Sequence, residues 1–301
     1  MTRLPRPHFA RFALVAAALA SAALLSACGG GEDETAELRL NLLGLENLGP
    51  RAVYEGWVMV NGSPVTTGRF TVNDNGTLSQ TSFTLNGDQA NAASTFLLTI
   101  EPATGDVPAP TDVRLLAGDF NAGRTEASVS IGHAMALGTN FASAQGRFIL
   151  ATPTTADTND DALGLWWLTM VNGAPQAGLT LPALPSGWIY EGWVVLNGQP
   201  ISTGRFRTAA GADSDGAGPT AGALGAPPFP GQDFITPPRS LPGGAAVISI
   251  EPMVDNSPAP FTLKPLSLTI GAGVGPANVQ TMINGVGNGS SLPRGTVTLV
   301  R

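Results

Sequence analysis

The sequence predicts an all-β protein made of two tandem antiparallel β-sandwich domains that follow an N-terminal signal peptide and a flexible tether. Three observations lead to that prediction. A block of 17 residues occurs twice, helical periodicity is nearly absent after residue 28, and the 301 residues include 38 Gly and 25 Pro. Short apolar runs separated by such turn residues at about 8–12-residue spacing are typical of β-sandwiches.

The duplicated block predicts the same hairpin in each half of the chain. Residues 54–70 read YEGWVMVNGSPVTTGRF and residues 190–206 read YEGWVVLNGQPISTGRF, with 12 identities in 17 at an offset of 136 (190 − 54). Asn-Gly between two apolar runs is a strong hairpin signal, because both residues tolerate positive φ. In the first copy we expect strands over 53–60 and 65–72 around a turn at 61–64.

A second shared block extends the duplication. The sequence Ile-Glu-Pro at 100–102 recurs at 250–252, which is an offset of 150. The second copy therefore gained 14 residues (150 − 136) between the two blocks. We expect this insertion within 208–244, a stretch rich in Gly, Ala and Pro, as a mobile surface loop.

These blocks divide the chain into domains. The first copy is expected over 37–156, a polar linker over 157–162 and the second copy over 163–301. Further strands of the first copy are expected at residues 38–45, 81–85, 96–100, 113–116, 127–131 and 147–151.

The N-terminus resembles a bacterial lipoprotein signal. Residues 1–27 contain three arginines and then an apolar stretch too short to span a bilayer, and LSAC at 25–28 matches a lipobox. The resemblance implies that Cys28 becomes the first mature residue and carries the acyl chains, which would anchor it to a membrane. The alternative is an ordinary signal peptide with an incidental Cys28.

The same resemblance predicts an address. Residues 28–36 are expected to form a flexible tether that holds the domains off the membrane. We expect a cell-envelope protein that faces the periplasm or the exterior, and Gly29 after the cysteine favours the outer membrane. Cys28 is the only cysteine, so no disulfide within the chain is expected.

Charge excludes some classes of partner. Three of the 15 basic residues lie in the signal, so the mature chain has 12 basic and 22 acidic residues, a net charge of −10 (12 − 22). Nucleic-acid binding needs a clustered basic surface and is not expected. Docking on anionic lipid is not expected either, so the acyl chains on Cys28 should be the only membrane contact.

Two acidic residues of the repeated block stand in apolar strands and need partners. If the hairpin loop has three residues, Glu55 lies directly opposite Arg69, whereas a four-residue loop places them on opposite faces. We expect a structural ion pair there and its copy between Glu191 and Arg205. A catalytic pair of Glu55 with Glu101 is the alternative.

Other candidate chemistry is sparse. Glu101 and Glu251 precede prolines at strand ends and are expected to bond loop backbone, with ligand binding as the alternative. His133 is the only histidine of the mature chain, so a histidine metal cluster is excluded. The acidic stretches 157–161 and 213–216 only partly match a calcium loop. No G-x-S-x-G motif is present. Neither a metal nor a cofactor is expected, and the chain is expected not to be an enzyme.

Three tryptophans have no counterparts in the first copy. Trp166, Trp167 and Trp188 lie in the second copy or on the approach to it. If exposed, they would form an aromatic platform for sugars or a partner protein. The alternative is that they pack in the core.

The two copies resemble the extracytoplasmic C-terminal domain of anti-sigma-K factors, the RskA family. The matching signature is a Tyr-x-x-Trp strand, an Asn-Gly-x-Pro turn, a Gly-x-Phe strand and an Ile-Glu-Pro strand. Its residues are Tyr54, Glu55, Trp57, Arg69, Phe70 and Glu101 in the first copy, and Tyr190, Glu191, Trp193, Arg205, Phe206 and Glu251 in the second.

The resemblance implies a domain type of the cell envelope. Members of that family also carry a cytoplasmic sigma-binding domain and a transmembrane helix, and this chain has a lipoprotein signal instead. We therefore expect a non-enzymatic envelope lipoprotein that acts as a protein-interaction or sensing module. The alternative is a carbohydrate- or peptide-binding envelope lipoprotein.

Overall fold

The structure is a computed structural model, and it describes residues 34–254, 257–272, 275–276, 278–286 and 292–301. The expected signal peptide, Cys28 and most of the expected tether lie outside the described residues. All the described residues belong to one compact unit.

Nearly all regular structure in the described residues is β, which confirms the predicted class. The one α-helix among these residues, α1 (Gly87–Ala92), follows Asn86, whose side chain accepts a hydrogen bond from the Asp88 amide and so caps the helix. Two 3₁₀ turns occupy Gly49–Arg51 and Asp161–Leu163. The strands are β1 (Thr35–Leu43), β2 (Ala52–Val60), β3 (Ser63–Phe70), β4 (Ser82–Asn86), β5 (Ala93–Pro102), β6 (Arg114–Asp119), β7 (Glu126–Ser130), β8 (Gln145–Leu150), β9 (Gly164–Trp166), β10 (Leu168–Val171), β11 (Ala174–Ala177), β12 (Leu179–Thr180), β13 (Trp188–Leu196), β14 (Gln199–Phe206), β15 (Gly231–Asp233), β16 (Ala245–Pro252), β17 (Leu266–Thr269), β18 (Gln280–Thr281), β19 (Ile283–Asn284) and β20 (Arg294–Val300).

The first sheet has eight strands in the order β3-β2-β5-β6-β7-β20-β1-β4. Its two edges meet, because the rings of Phe70 on β3 and Phe83 on β4 lie 6.3 Å apart between centroids. β1 shows why the sequence folds this way: alternate residues Leu38, Leu40 and Leu42 are buried and the residues between them are more exposed. The sheet therefore curls around its own apolar core.

The second set of strands repeats that order. One sheet of this set has the order β14-β13-β16-β17-β19. The next strands have the order β8-β9-β15, and β8 also pairs with β18, which directly precedes β19 in the chain. β14 in turn contacts β15, so this set also curls on itself. β10 and β11 form a hairpin that interrupts the second copy between β9 and β12.

Comparison of the two orders shows a reciprocal exchange of strands. β20, the last strand of the second copy, lies between β7 and β1 of the first copy. β8, the last strand of the first copy, lies between β18 and β9 of the second. The expected boundary at 157–162 therefore does not separate two independent sheets, and two separate tandem sandwiches are not confirmed.

β8 and β20 share one side-chain pattern. Gly146, Phe148 and Leu150 correspond to Gly295, Val297 and Leu299 at a constant offset of 149 (295 − 146). The four apolar residues of this set are buried in the common core cluster. A Cβ at either glycine would clash, at 2.6 Å from Met282 Sδ in one case and 2.1 Å from the Asn41 carbonyl oxygen in the other. The two strands fill equivalent places in opposite halves.

The hairpin of the first copy differs from its predicted geometry. The turn has two residues, Asn61 and Gly62, both at positive φ, and Val60 pairs with Ser63. Further along the ladder, a bulge between the pairs Trp57–Thr66 and Gly56–Gly68 shifts the register by one residue, so that Glu55 faces Arg69. The expected pairing is confirmed, but through a short turn plus a bulge instead of a three-residue loop. The second copy repeats the bulge.

Two polar segments are more deeply packed than the sequence predicts. The stretch 208–244 was expected to be a mobile surface loop, yet it contains β15, and Phe234 and Leu241 in it are buried in the core. On the approach to the linker, Thr152 and Thr154 are buried as well. The few apolar residues of the insertion explain this difference, because their burial holds it against the core. An overall composition rich in Gly and Pro does not reveal such individual residues.

Candidate functional site

The signature tyrosines brace the loops that precede their strands. The Tyr54 hydroxyl donates to the Glu46 carbonyl oxygen at 2.9 Å, and the Tyr190 hydroxyl donates to the Pro182 carbonyl oxygen at 2.7 Å. Both acceptors lie eight residues upstream. Burial raises the pKa of Tyr190, so this hydroxyl keeps its proton to donate. Each tyrosine also stacks on the phenylalanine of its block, Phe70 or Phe206.

The signature tryptophan and glutamate of the first copy are linked by a hydrogen-bond relay. Trp57 Nε1 donates to Thr99 Oγ1 at 2.9 Å, and the same hydroxyl donates to Glu101 Oε1. Glu101 is fully buried and also accepts from the Thr111 amide at 2.9 Å. The carboxylate therefore holds the end of the 103–111 loop through the Thr111 amide, which confirms the predicted bond from Glu101 to loop backbone.

The second copy repeats that relay. Trp193 Nε1 donates to Ser249 Oγ at 2.7 Å, and Ser249 donates to Glu251 Oε1. Glu251 also accepts from the Phe261 amide at 2.9 Å. The duplicated side chains therefore keep duplicated structural contacts, with Ser in the place of Thr.

The Glu–Arg pairs are confirmed in both copies. Arg69 Nε donates to Glu55 at 2.7 Å and Arg205 Nε donates to Glu191 at 2.7 Å. In the first copy Thr66 adds a hydroxyl donor to Glu55, and Asp106 forms a second ion pair with Arg69. The pair lines a cleft of about 640 Å³. Because its guanidinium is already held by two carboxylates, Arg69 is a brace and not an anion-binding group.

We predict that Arg69→Ala lowers the free energy of unfolding by about 2 kcal/mol. The Glu55 side chain is 7% exposed and would lose its cation, whereas the 35% exposure of Arg69 keeps the loss below that of a fully buried pair. Urea unfolding measures the loss. Glu55→Gln combined with Arg69→Ala should cost less than the sum of the single changes, and additive costs would contradict the pairing.

The three tryptophans of the second copy are buried, with exposures of 1% for Trp166 and 0% for Trp167 and Trp188. Trp167 packs edge-on against Phe148 of the exchanged strand β8, with ring centroids 5.8 Å apart. Trp188 packs against Phe261. The core-packing alternative therefore describes all three, and an exposed aromatic platform does not.

One of these tryptophans takes part in a buried cluster that the sequence analysis missed. Trp166 Nε1 donates to Asp233 Oδ1 at 2.8 Å, and the Thr154 amide donates to Asp233 Oδ2 at 3.0 Å. Asp233 is fully buried, and burial raises its pKa while these donors act in the opposite direction. This aspartate connects the segment before the linker, β9 and the insertion. No motif marks it in the sequence, since its partners are 67 and 79 residues away.

His133, the only histidine among the described residues, is engaged at both nitrogens. His133 Nδ1 accepts from the Met135 amide at 3.2 Å, and Nε2 lies 3.4 Å from Asp119 Oδ1. A hydrogen bond from Thr95 and the proximity of His133 hold the pKa of Asp119 below its usual range. His133 and Asp119 line a cleft of about 560 Å³ together with Ser128 and Ser130. With Nδ1 occupied as an acceptor, His133 is not placed as a base for either serine.

The acidic stretches do not assemble a metal centre in the part of the chain that is described. No group of three or more His, Cys, Asp and Glu side chains is arranged there to hold an ion. In the stretch 157–161, the Asp160 carboxylate accepts hydrogen bonds from the hydroxyls of Thr152 and Thr155.

In the insertion, two aspartates approach each other. The Gly231 amide donates to Asp213 Oδ2 at 2.8 Å. Burial, and after it the nearby Asp215 carboxylate, raises the pKa of Asp213 to about 7, although the Gly231 bond acts in the opposite direction.

We predict that Asp213→Asn stabilises the protein only toward neutral pH. A raised pKa means that the folded state binds the proton more tightly, so stability falls as pH rises from about 4 to 7. The asparagine removes that loss and still accepts from Gly231. Thermal unfolding of both proteins at pH 4 and pH 8 should show a gain only at pH 8. Asp215→Asn, which removes the lesser cause, should give a smaller gain, and an equal gain at both pH values would contradict the assignment.

Corresponding loops of the two repeats expose apolar side chains, although not at equivalent positions. The loop after β5 exposes Val107 at 62%, and the loop after β16 exposes Met253 at 50% and Val254 at 58%. Val254 also lines a pocket of about 220 Å³ to which both repeats contribute, whereas Val107 lines the separate cleft that contains Glu55 and Arg69. The residues that line the pocket are Leu48, Arg51, Ala52, Ile100, Pro102, Pro252 and Val254.

The comparisons with known proteins give no relative. No family model matches the chain, no curated protein matches it, and no solved structure matches it. Among the described residues, no helix has the length and apolarity needed to cross a membrane.

Proposed function

We propose that this chain is a lipid-anchored, non-catalytic lipoprotein of the cell envelope whose two RskA-like repeats bind a protein partner. The lipoprotein signal ending at Cys28 supports the location. The repeated signature supports the absence of catalysis, because each of its carboxylates, Arg69 and its tryptophans makes at least one structural hydrogen bond or ion pair. The sugar- or peptide-binding alternative has less support, since the tryptophans that it needs are buried.

The exposed apolar side chains of the loops after β5 and β16 are the observation that supports the binding part of the proposal. Exposed apolar side chains rimming a concave site are typical of protein-interaction surfaces. Val107 comes from the first repeat, and Met253 and Val254 come from the second. The pocket at Val254 is lined by residues of both repeats, so a partner bound there would touch both. The proposed surface is defined by these three residues and by the pocket that Val254 lines.

A cysteine substitution tests the anchor. Cys28→Ala should leave the folded domains unchanged and move the protein from the detergent phase to the aqueous phase in a phase-partition assay. Labelling with a radioactive fatty acid should be lost at the same time. Equal partitioning of the two proteins would contradict the lipid anchor.

Site-specific photo-crosslinking tests the partner. A photoreactive amino acid at Val254 or Val107 of the anchored protein should give the same crosslinked partner from intact cells, identified by mass. Asn75, in an exposed loop elsewhere on the first repeat, is the matched control position. Recovery of that protein from the control with equal yield, or of none from both test positions, would overturn the proposed surface.

A further inference from the structure

The groove between β1 and β7 is filled by a strand from the other repeat. β20 pairs along its length with β1, from Glu37–Val300 to Leu43–Arg294, and on its other side with β7. Both neighbours are antiparallel to it. Without β20, the backbone groups of two strand edges would be left open at this place in the sheet.

Side chains give the groove a sequence requirement. Val297 is fully buried and Leu299 is 4% exposed, so two alternate residues of the strand point into the core. Gly295 is needed two residues earlier, because a Cβ there would lie 2.1 Å from the Asn41 carbonyl oxygen. The groove therefore recognises Gly-x-Val-x-Leu by main-chain pairing and by alternate side chains, which is the mode of β-strand addition.

The exchange between the repeats shows that such a groove accepts a strand from outside its own repeat. β8 carries the equivalent pattern into the second repeat, where Phe148 and Leu150 are fully buried. Each repeat is thus completed by the strand of another repeat. A second copy of the chain offers the same strand with the same side chains.

We propose that two copies of this chain assemble by exchanging β20, so that each groove between β1 and β7 holds the β20 of its partner chain. The pairing is identical in the two forms, so the balance between them depends on concentration. The β20 strand of the same chain competes for the groove at an effective concentration in the millimolar range. Exchange between chains therefore needs a high protein concentration or refolding of the chains in the same solution. The proposal rests on the strand pairing and does not depend on the lipid anchor.

Mixed single-cysteine variants test the exchange. Asn41 on β1 faces Thr296 on β20, and neighbouring antiparallel strands bring Cα atoms within disulfide range. In a Cys28→Ser background, Asn41→Cys and Thr296→Cys chains are mixed, unfolded in urea, refolded together at rising concentration and oxidised. The proposal expects a disulfide-linked dimer of one chain of each kind, with a yield that grows with protein concentration.

Two controls make the outcome decisive. Asn41→Cys mixed with Asn75→Cys reports random collisions, and the dimer from the test pair should exceed it by about tenfold or more at the highest concentration. Asn41→Cys and Thr296→Cys within one chain should close a disulfide in the monomer. If that monomer closes and the mixed pair gives no more dimer than the collision control, exchange between chains is overturned. If the monomer does not close, the pairing on which the proposal rests is overturned.

Discussion

Val297→Asp is expected to unfold both repeats together and to lower the free energy of unfolding by about 4 kcal/mol or more. Val297 is fully buried between β1 and β7, and an unpaired carboxylate placed there has no partner in an apolar core. Because β20 comes from the second repeat but lies in the sheet of the first, damage to it reaches both halves.

The measurement is calorimetry together with urea unfolding. The variant should show one cooperative transition at a lower temperature than the parent protein. Thr296→Asp, on the same strand but half-buried and facing uncharged neighbours, is the matched control and should change stability by about 1 kcal/mol or less. Two separate transitions in the Val297→Asp protein, one of them unchanged, would contradict the linkage between the repeats.

Glu101→Ala is expected to lower the free energy of unfolding by about 3 kcal/mol. The change removes the fully buried acceptor of the Thr99 hydroxyl and the Thr111 amide, and buried donors without acceptors are costly. Glu251→Ala should cost a similar amount, because the Ser249 hydroxyl and the Phe261 amide depend on it in the same way.

Urea unfolding gives the total cost, and amide hydrogen exchange gives its location. Exchange of the Thr111 amide should quicken in the Glu101→Ala protein while that of Phe261 stays slow. Glu101→Gln keeps the shape and one acceptor oxygen, so its cost should be about 1 kcal/mol. An alanine variant as stable as the parent protein would contradict a stabilising role for these hydrogen bonds.

The sequence predicts the local structure around the duplicated block well. Alternation of apolar residues and the Asn-Gly turn are short-range signals, so the hairpins and the Glu55–Arg69 pair could be predicted. The turn was expected over 61–64 and comprises only Asn61 and Gly62, and the bulge between Gly56 and Trp57 restores the pairing of Glu55 with Arg69. A bulge leaves little trace in a single sequence.

The exchange of β8 and β20 could not be predicted for a physical reason. Both strands have the pattern Gly-x-apolar-x-Leu, and each buries its alternate apolar side chains in its groove. A side-chain pattern therefore says that each strand fits a groove of this type, but not which of the two grooves it occupies. That choice depends on the path of the connecting segments, which is a property of the whole fold.

Asp233 illustrates the other kind of omission. Its partners Thr154 and Trp166 are far away in the sequence, and the stretch around it is dominated by Gly, Ala and Pro. Long-range polar contacts of this kind become visible only when the fold has brought the segments together. The predicted Glu–Arg pair was accessible because its two members lie 14 residues apart on one hairpin.

The position of β20 is the central feature of this fold, and a pair of double-cysteine chains tests it most directly. In a Cys28→Ser background, Asn41→Cys is combined either with Thr296→Cys on β20 or with Arg147→Cys, the equivalent position on β8 (296 − 149). Reciprocal exchange predicts that oxidation of dilute protein closes a monomeric disulfide in the Thr296 variant and not in the Arg147 variant. Closure in the Arg147 variant instead would show two self-contained repeats and contradict the exchange.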